Sequence, residues 1–333
     1  MSIKRIQFVF RAPSHEHSIE RVFENVLPYI SEKFEIRKSY ASSIRVSVWH
    51  ILVDIMRFYQ NRGDINHITG QLHFYNLFLP SKRTVLTIHD LGIIANPLKK
   101  KIFDFIFFYL PLKKAKYVTC ISQSTKDRLM EQYPFIAKKD LRVINNSVGS
   151  EFKRIPHIFN DSKPQILHIG TRKNKNLKRV ICALSGINCH LRIIGKLSSE
   201  QIDLLNREHV EYSNSFNITD EEIIMEYANC DIVSFPSTFE GFGMPIIEGN
   251  AIGRAVLSSN ISPMNDVAGD SALLVNPFSV EEIRDGFCKL ITNKQLRESL
   301  INNGYNNAML YDNKVIAAKY IELYDDILED LKV

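Results

Sequence analysis

The sequence predicts an α/β protein with parallel sheets, arranged as two domains. Three observations carry this. Short apolar runs alternate with longer amphipathic segments, which is the pattern of strands joined by crossover helices. The chain has 333 residues, roughly two domains at about 150 residues each. The alternation also lapses over 145–164, a stretch rich in Asn, Ser and Pro, and then restarts with QILHIG.

In the first half the apolar runs predict strands at 6–10, 46–49, 85–88, 117–121 and 141–144. Helices are expected over 18–34 and 124–133, the second opened by Ser122 as N-cap. The segment holding His67, Gly70 and His73 reads as a loop before the 85–88 strand. In LKKKIFDFIFFYLPLKKAK (98–116) lysine clusters flank an aromatic run, and Pro111 should prevent an unbroken helix. This segment reads either as an interfacial element at an anionic membrane or as a buried helix with a wetted end.

The second half predicts strands at 165–169, 191–194, 210–212, 232–235, 255–258 and 272–275. Thr219 and Glu222 form a capping box that opens a helix before Asp231. Helices follow at 279–292 and 294–302. A long last helix at 313–331 carries the apolar stripe Ile316, Ala317, Tyr320, Ile321, Tyr324, Ile327 and Leu331. The expected division is 1–155, 156–312 and this final helix, 313–333.

Charge is divided unequally. Residues 1–155 hold 25 Lys and Arg against 13 Asp and Glu, net +12, and the remainder holds 17 against 24, net −7. A basic first half implies an anionic partner. No helix-turn-helix, zinc or RNP pattern accompanies it, so a membrane surface or a lipid pyrophosphate is preferred to nucleic acid. Five scattered cysteines without a CxxC motif read as reduced thiols. The start of the chain reads as a strand rather than a secretory leader, and no apolar run reaches the ~20 residues of a membrane span. The expected location is cytoplasmic, with peripheral contact at the inner membrane face.

The richest stretch is DIVSFPSTFEGFGMPIIEGNAIG (231–253). A buried strand ends at Pro236, a tight loop follows, and a helix starts near Pro245, a residue suited to a first helical turn because its missing N–H costs nothing there. Gly241 and Gly243 should let the backbone approach a ligand. The N–H groups of Phe242, Gly243 and Met244, at the positive end of the helix dipole, favour a phosphate. Glu240 on the loop and Glu248 on the early helix flank this cradle, an arrangement suited to a sugar nucleotide. The plain alternatives are a surface carboxylate for Glu240 and a carboxylate complementing the helix dipole for Glu248. Gly170, Thr171, Arg172 and Lys175 follow a second strand and supply a glycine turn and cations. His89 closes the 85–88 strand, where it serves either a sugar hydroxyl or a structural hydrogen bond. GFGMPIIEG lacks the third glycine of a dinucleotide fingerprint. No Asp-x-Asp loop is present, and Lys, Arg and helix N–H groups can neutralise a diphosphate, so neither metal nor other cofactor is expected.

This stretch resembles the donor-site signature of the retaining family-4 glycosyltransferases: a strand, Pro-Ser, Glu-Gly-Phe-Gly, a Pro, and a second Glu eight positions after the first. The likeness continues through SSNISPMNDVAGDSALLVNPFSVEEI and reaches back to ILHIGTRKNKNL, HITGQLHF and TIHDLG. It implies the GT-B fold, in which two Rossmann-like doubly wound domains face a cleft and the C-terminal helix crosses back to the first. It also implies roles. Glu240 would contact the transferred sugar and Glu248 the ribose. Lys175, with Arg172, would neutralise the donor pyrophosphate, and His89 would lie near the donor sugar. The implied reaction moves a sugar from a nucleotide-diphosphate sugar to a saccharide or lipid-linked acceptor with retention, in O-antigen- or capsule-like polysaccharide synthesis. The alternatives are a nucleotide-sugar epimerase on the same fold and a non-catalytic relative. Two departures stand out. The loop at 11–18 lacks the family's glycines, and Asn265 stands where many members carry Glu.

Overall fold

The computed structural model describes residues 3–12, 18–43, 48–91, 101 and 103–332. The chain divides into two compact units, residues 1–147 with 313–333, and residues 148–312. The first carries 26 Lys and Arg against 17 Asp and Glu, net +9; the second carries 16 against 20, net −4.

The first unit runs β1 (Arg5–Phe10), α1 (Ser18–Ile30), β2 (Glu35–Tyr40), α2 (Val48–Gln60), β3 (Ile65–Ile68), β4 (Thr84–Ile88), α3 (Leu110–Lys114), β5 (Tyr117–Cys120), α4 (Gln123–Gln132) and β6 (Asp140–Val143). Its six strands are all parallel, in the order β2-β1-β3-β4-β5-β6. Two apolar layers cover the sheet, one built around Phe8, Phe23 and Val26, the other around Val9, Leu86 and Val118.

The second unit runs β7 (Gln165–Ile169), α5 (Leu177–Leu184), β8 (His190–Ile194), α6 (Ser199–Arg207), β9 (Tyr212–Ser215), α7 (Asp220–Asn229), β10 (Ile232–Phe235), α8 (Met244–Ile252), β11 (Ala255–Ser259), α9 (Met264–Ala268), β12 (Leu273–Val275), α10 (Val280–Thr292) and α11 (Lys294–Leu310). Its parallel order is β12-β11-β10-β7-β8-β9. The order reverses between β7 and β10, so the loops leaving these two strands border the crevice where open α/β sheets bind ligands. Thr219 and Glu222 form both bonds of the expected capping box, and Ser122 caps α4 through Thr125 N–H.

The last helix, α12 (Asn313–Asp330), belongs to the first unit, as the GT-B fold requires. It buries Ile316, Ala317, Tyr320, Leu323, Tyr324 and Ile327. Leu323 joins the predicted stripe, while Ile321 and Leu331 pack at its margin.

Several local expectations are corrected. Val48 and Trp49 open α2 rather than ending a strand, because apolar residues continue at helical spacing through Ile51, Ile55 and Phe58; residues 44–47 lie outside the described set. The supposed loop at His67 is the buried strand β3, and His73 starts a 3₁₀ turn. Both side chains are buried. Pro111 does not break its helix. Helical backbone runs from 103 through 114, with a π turn at Phe105–Tyr109 widening it just before the proline. The carbonyl that Pro111 leaves without its α-helical partner is that of Phe107. Residues 98–100 and 102 of that segment, and 13–17 of the glycine-free loop, lie outside the described residues. The polar edge strands β2 and β9 were either unforeseen or displaced, and α11 runs eight residues past the expected end at 302.

Candidate active site

β7 ends at Ile169, and the chain turns at Gly170 with φ +95°. A side-chain carbon there would lie 2.8 Å from Lys175 Cγ, so glycine lets the lysine stem fold back across the turn. Thr171 Oγ1 donates to the Lys196 carbonyl at 2.7 Å, and Gln201 donates to the Thr171 carbonyl at 2.8 Å. Arg172 and Lys173 are exposed at the turn. Lys173–Lys175 form a 3₁₀ turn, and Asn176 adopts a left-handed conformation, φ 66°, which a short polar side chain tolerates. Asn176 Nδ2 then bridges the carbonyls of Pro236 (2.9 Å) and Pro277 (2.7 Å), tying this turn to the loop after β10.

Glu240 turns onto that junction. Its Oε1 accepts from Lys175 Nζ at 2.7 Å, and the two side chains are 14% and 23% exposed. The Lys175 ammonium also stands 4.9 Å from the centre of the Phe235 ring. The family resemblance implies separate roles for these residues, one on sugar and one on phosphate; the structure joins them as an ion pair at the switch point. Behind them, His168 on β7 is fully buried and contacts Ser234 Oγ at 3.2 Å. Burial, reinforced by the Lys175 charge, holds it neutral with a pKa of about 4.

Gly243 caps α8 with φ +126°, and Pro245 is the second residue of that helix. Gly243 has a positive φ, whereas Gly241 does not. First-turn N–H groups have no acceptor within the helix and collect its positive dipole end. The Phe242 side chain is buried edge-to-face on Tyr311 at 5.6 Å, which leaves its backbone as the part that can meet a ligand. Glu248, one turn into α8, accepts a 2.6 Å hydrogen bond from Tyr227 on α7.

Gly170, Thr171, Arg172, Lys175, Glu240, Phe242, Gly243, Met244 and Glu248 therefore share the second unit, on loops and a helix start at the carboxyl ends of β7 and β10. His89 belongs to the first unit. It is buried at the end of β4, where Nε2 contacts the Thr69 carbonyl at 2.7 Å, and burial lowers its pKa to about 4. At the end of β1, where the family has glycines, Arg11 is instead gripped by both Glu20 oxygens at 2.8 and 2.7 Å and reaches Gln71 at 3.0 Å. Three residues escaped the sequence reading: Asn174, Asn176 and Tyr227. The signal for the first two lay in the doubled Lys-Asn of RKNKN; Tyr227 had none. Among the described residues no group of three or more His, Cys, Asp or Glu is placed to hold a metal ion, and no helix is long and apolar enough to cross a membrane.

The two parallel six-stranded sheets with their helices define a GT-B protein. A profile of the family "Glycosyl transferases group 1" matches residues 149–307, within the second unit. The chain is similar to the Escherichia coli serotype-specific mannosyltransferase WbdA, 28% identical over 71% of this chain and 33% of the relative. It thus spans about a third of that relative's length. It is also similar to the Escherichia coli O-antigen chain mannosyltransferase B, 23% identical over 76% of this chain and 73% of the relative. Among solved structures, Anabaena Alr3699/HepE in complex with UDP and glucose superposes with a TM-score of 0.75 at 16% identity, covering 96% and 99% of the two chains.

Proposed function

We propose that this protein is a retaining glycosyltransferase of the family-4 type, which moves a hexose from a nucleoside-diphosphate sugar to a saccharide or lipid-linked acceptor in cell-surface polysaccharide synthesis. The observation that carries the reading is the Lys175–Glu240 pair at the sheet's switch point, beside the start of α8. The group 1 domain over 149–307 supports it, as do the mannosyltransferase relatives. GDP-mannose is therefore the first donor to try, and the UDP in the HepE complex makes UDP-hexoses the second.

In this mechanism the donor diphosphate lies against the 242–244 N–H groups, with Lys175 and Arg172 as its cations. Glu240 accepts from the sugar hydroxyls and Glu248 from the ribose. The bond from the anomeric carbon to the phosphate oxygen breaks, and its electron pair leaves with the nucleoside diphosphate. The acceptor hydroxyl attacks on the face just vacated, and a phosphate oxygen takes its proton, so the configuration is retained. Charge neutralisation at the leaving phosphate comes from protein groups alone, so the proposal includes no metal. One such donor is typically worth about 10²–10³-fold in rate.

The first unit takes the acceptor in this reading and meets an anionic membrane from the cytoplasmic side. Support comes from its net charge and from α2, where Trp49, Leu52, Met56 and Tyr59 lie exposed at positions i, i+3, i+7 and i+10. Arg62 stacks on Tyr59 at 4.1 Å, while Arg57 is taken up by an ion pair with Asp54. Asp54, the sole acid of α2, is buried against Tyr75 and Ser42.

The test is Glu240→Ala with the donor chosen by thermal shift from UDP-, GDP-, ADP- and dTDP-hexoses. The expected result is a loss in transfer on the order of 10²-fold with an unchanged melting temperature. An unchanged rate overturns the assignment, and an epimer formed from donor without acceptor replaces transferase by epimerase.

A further inference from the structure

Glu240 is held by more than its lysine. The side chain of Asn174 crosses from the β7 turn to the same loop, where Nδ2 donates to the Phe239 carbonyl at 3.0 Å and to Glu240 Oε1 at 3.2 Å. Its backbone carbonyl independently accepts from Thr238 N at 2.8 Å and from Thr238 Oγ1 at 3.3 Å. The main chains of the two loops are therefore pinned together whatever side chain stands at 174.

We propose that Asn174 is the positioning residue that fixes the Glu240 carboxylate for the donor sugar, an inference that rests on the function proposed above. Both donors converge on one oxygen: Lys175 Nζ and Asn174 Nδ2 take Oε1, and among the described residues Oε2 accepts no hydrogen bond. One oxygen is tethered and the other is presented. An ammonium is a compact charge with rotatable donors, which sets a distance but not a plane. A planar amide anchored on a main-chain carbonyl supplies the missing direction.

The division of labour follows from charge. In the proposed reaction Lys175 must also serve the donor diphosphate, and a phosphate competes with Glu240 for it. Asn174 is neutral, so an arriving phosphate exerts no such pull on it. It keeps Oε1 in place while Lys175 exchanges partners. An aspartate at 174 would have the same shape without the donor, and would set a second carboxylate against Oε1.

The experiment compares a nucleoside diphosphate, which lacks the sugar, with its hexose conjugate. Wild type, Asn174→Ala, Asn174→Asp and Glu240→Gln are titrated calorimetrically with GDP and GDP-mannose, or with UDP and UDP-glucose if the thermal-shift panel selects those. Transfer is measured in parallel. Asn174→Ala should leave the nucleoside-diphosphate Kd within twofold, weaken the sugar nucleotide, and lower kcat/KM at least tenfold. Asn174→Asp should lose more. In a Glu240→Gln background, adding Asn174→Ala should cost less than twofold, because the amide acts through that carboxylate. Equal losses for diphosphate and sugar nucleotide would mean that Asn174 merely holds the loop, and overturn the inference. An Asn174→Ala variant with wild-type transfer overturns it too. If Glu240→Gln itself neither weakens the sugar nucleotide nor slows transfer, the failure lies in the proposed role of Glu240 instead.

Discussion

In the first unit the polar chemistry sinks into the sheet, whereas in the second it rises to the loops at the carboxyl ends of the strands. His67 on β3 is fully buried, with Nδ1 on Tyr324 Oη at 2.6 Å and Nε2 on Thr87 Oγ1 at 2.7 Å; Thr87 passes the chain on to Thr119 at 2.7 Å. These bonds clamp α12 to the sheet. In the second unit the central turns instead aim Lys175, Asn174 and Glu240 at one another. The two six-stranded parallel sheets have similar plans but different uses of hydrogen bonds: one spends them on holding a distant segment of chain, the other on orienting charge. A common sheet plan therefore does not place function, which lies in the loops it carries.

Acid should separate the units most strongly. Burial lowers the pKa of His67 to about 3, and those of His73 and His89 to about 4. The second unit has one such histidine, His168, also at about 4. A folded pKa below the unfolded 6.5 means that the stabilisation is complete above pH 6.5 and is lost as pH falls toward the folded values, because the unfolded chain binds the proton first. At pH 5 each buried histidine should cost about 2 kcal/mol, from 1.36 kcal/mol per pH unit. The first unit should lose three times what the second loses from this source. Hydrogen exchange at pH 7 and pH 5 checks it: protection in β3 and β4 should fall well before protection in β7 and β10. Equal loss in both would break the comparison.

The second unit's loops should be sensitive where the first unit's are not. Gly170→Ala puts a carbon 2.8 Å from Lys175 Cγ at a φ of +95°, so the lysine stem must move off Glu240. Transfer should fall about 10²-fold, the scale of one misplaced charge-stabilising group. Steady-state kinetics beside a circular dichroism spectrum separates this from unfolding. Gly186→Ala is the control: it shares a positive φ, 73°, but nothing lies within 4 Å, so it should strain the backbone without touching transfer.

How far the sequence could be read follows the same division. Apolar strands buried on both faces, such as β4, β7 and β10, were legible because continuous apolar runs are what such strands require. β2 (EIRKSY) and β9 (YSNS) were not: they are half-exposed edge strands whose polar residues give no run to detect. The Val46–Trp49 run looked like a strand because four residues cannot distinguish a period of 2 from 3.6. Glu240 and Lys175 were legible as site residues through local motifs. Their mutual bond was not, since 65 residues separate them and nothing short of the sheet order sets β7 beside β10. His67 was misplaced as a loop residue for the same reason, since its partner Tyr324 is distant in sequence.

Tyr324→Phe asks how much the clamp on α12 is worth. The change keeps the buried ring and removes the hydroxyl, leaving His67 Nδ1 without its partner in a site closed to water. An unsatisfied buried polar group costs about 1–3 kcal/mol. The first unit should unfold at lower denaturant, with hydrogen exchange in α7 and α8 unchanged. Tyr29→Phe, at a partly buried ring beside Lys314, should do neither.

The smallest expected effect concerns the outer face of α2. Trp49 is 71% exposed and Met56 56% exposed, so neither contributes much to folding. Burying a side chain of that size in an interface is worth about 1.5–3 kcal/mol, and a partly inserted one less. Trp49→Ala should therefore weaken binding to vesicles containing anionic phosphatidylglycerol about tenfold, with binding to neutral phosphatidylcholine vesicles negligible before and after. Raising salt should weaken wild-type binding as well, because the +9 of the first unit acts through a screened field. Trp49 is the single tryptophan of the chain, so its emission reports the contact directly: a blue shift on anionic vesicles supports insertion of this helix. Anionic-vesicle binding without any shift would move the contact away from α2, to the basic segment around Lys113 and Lys114.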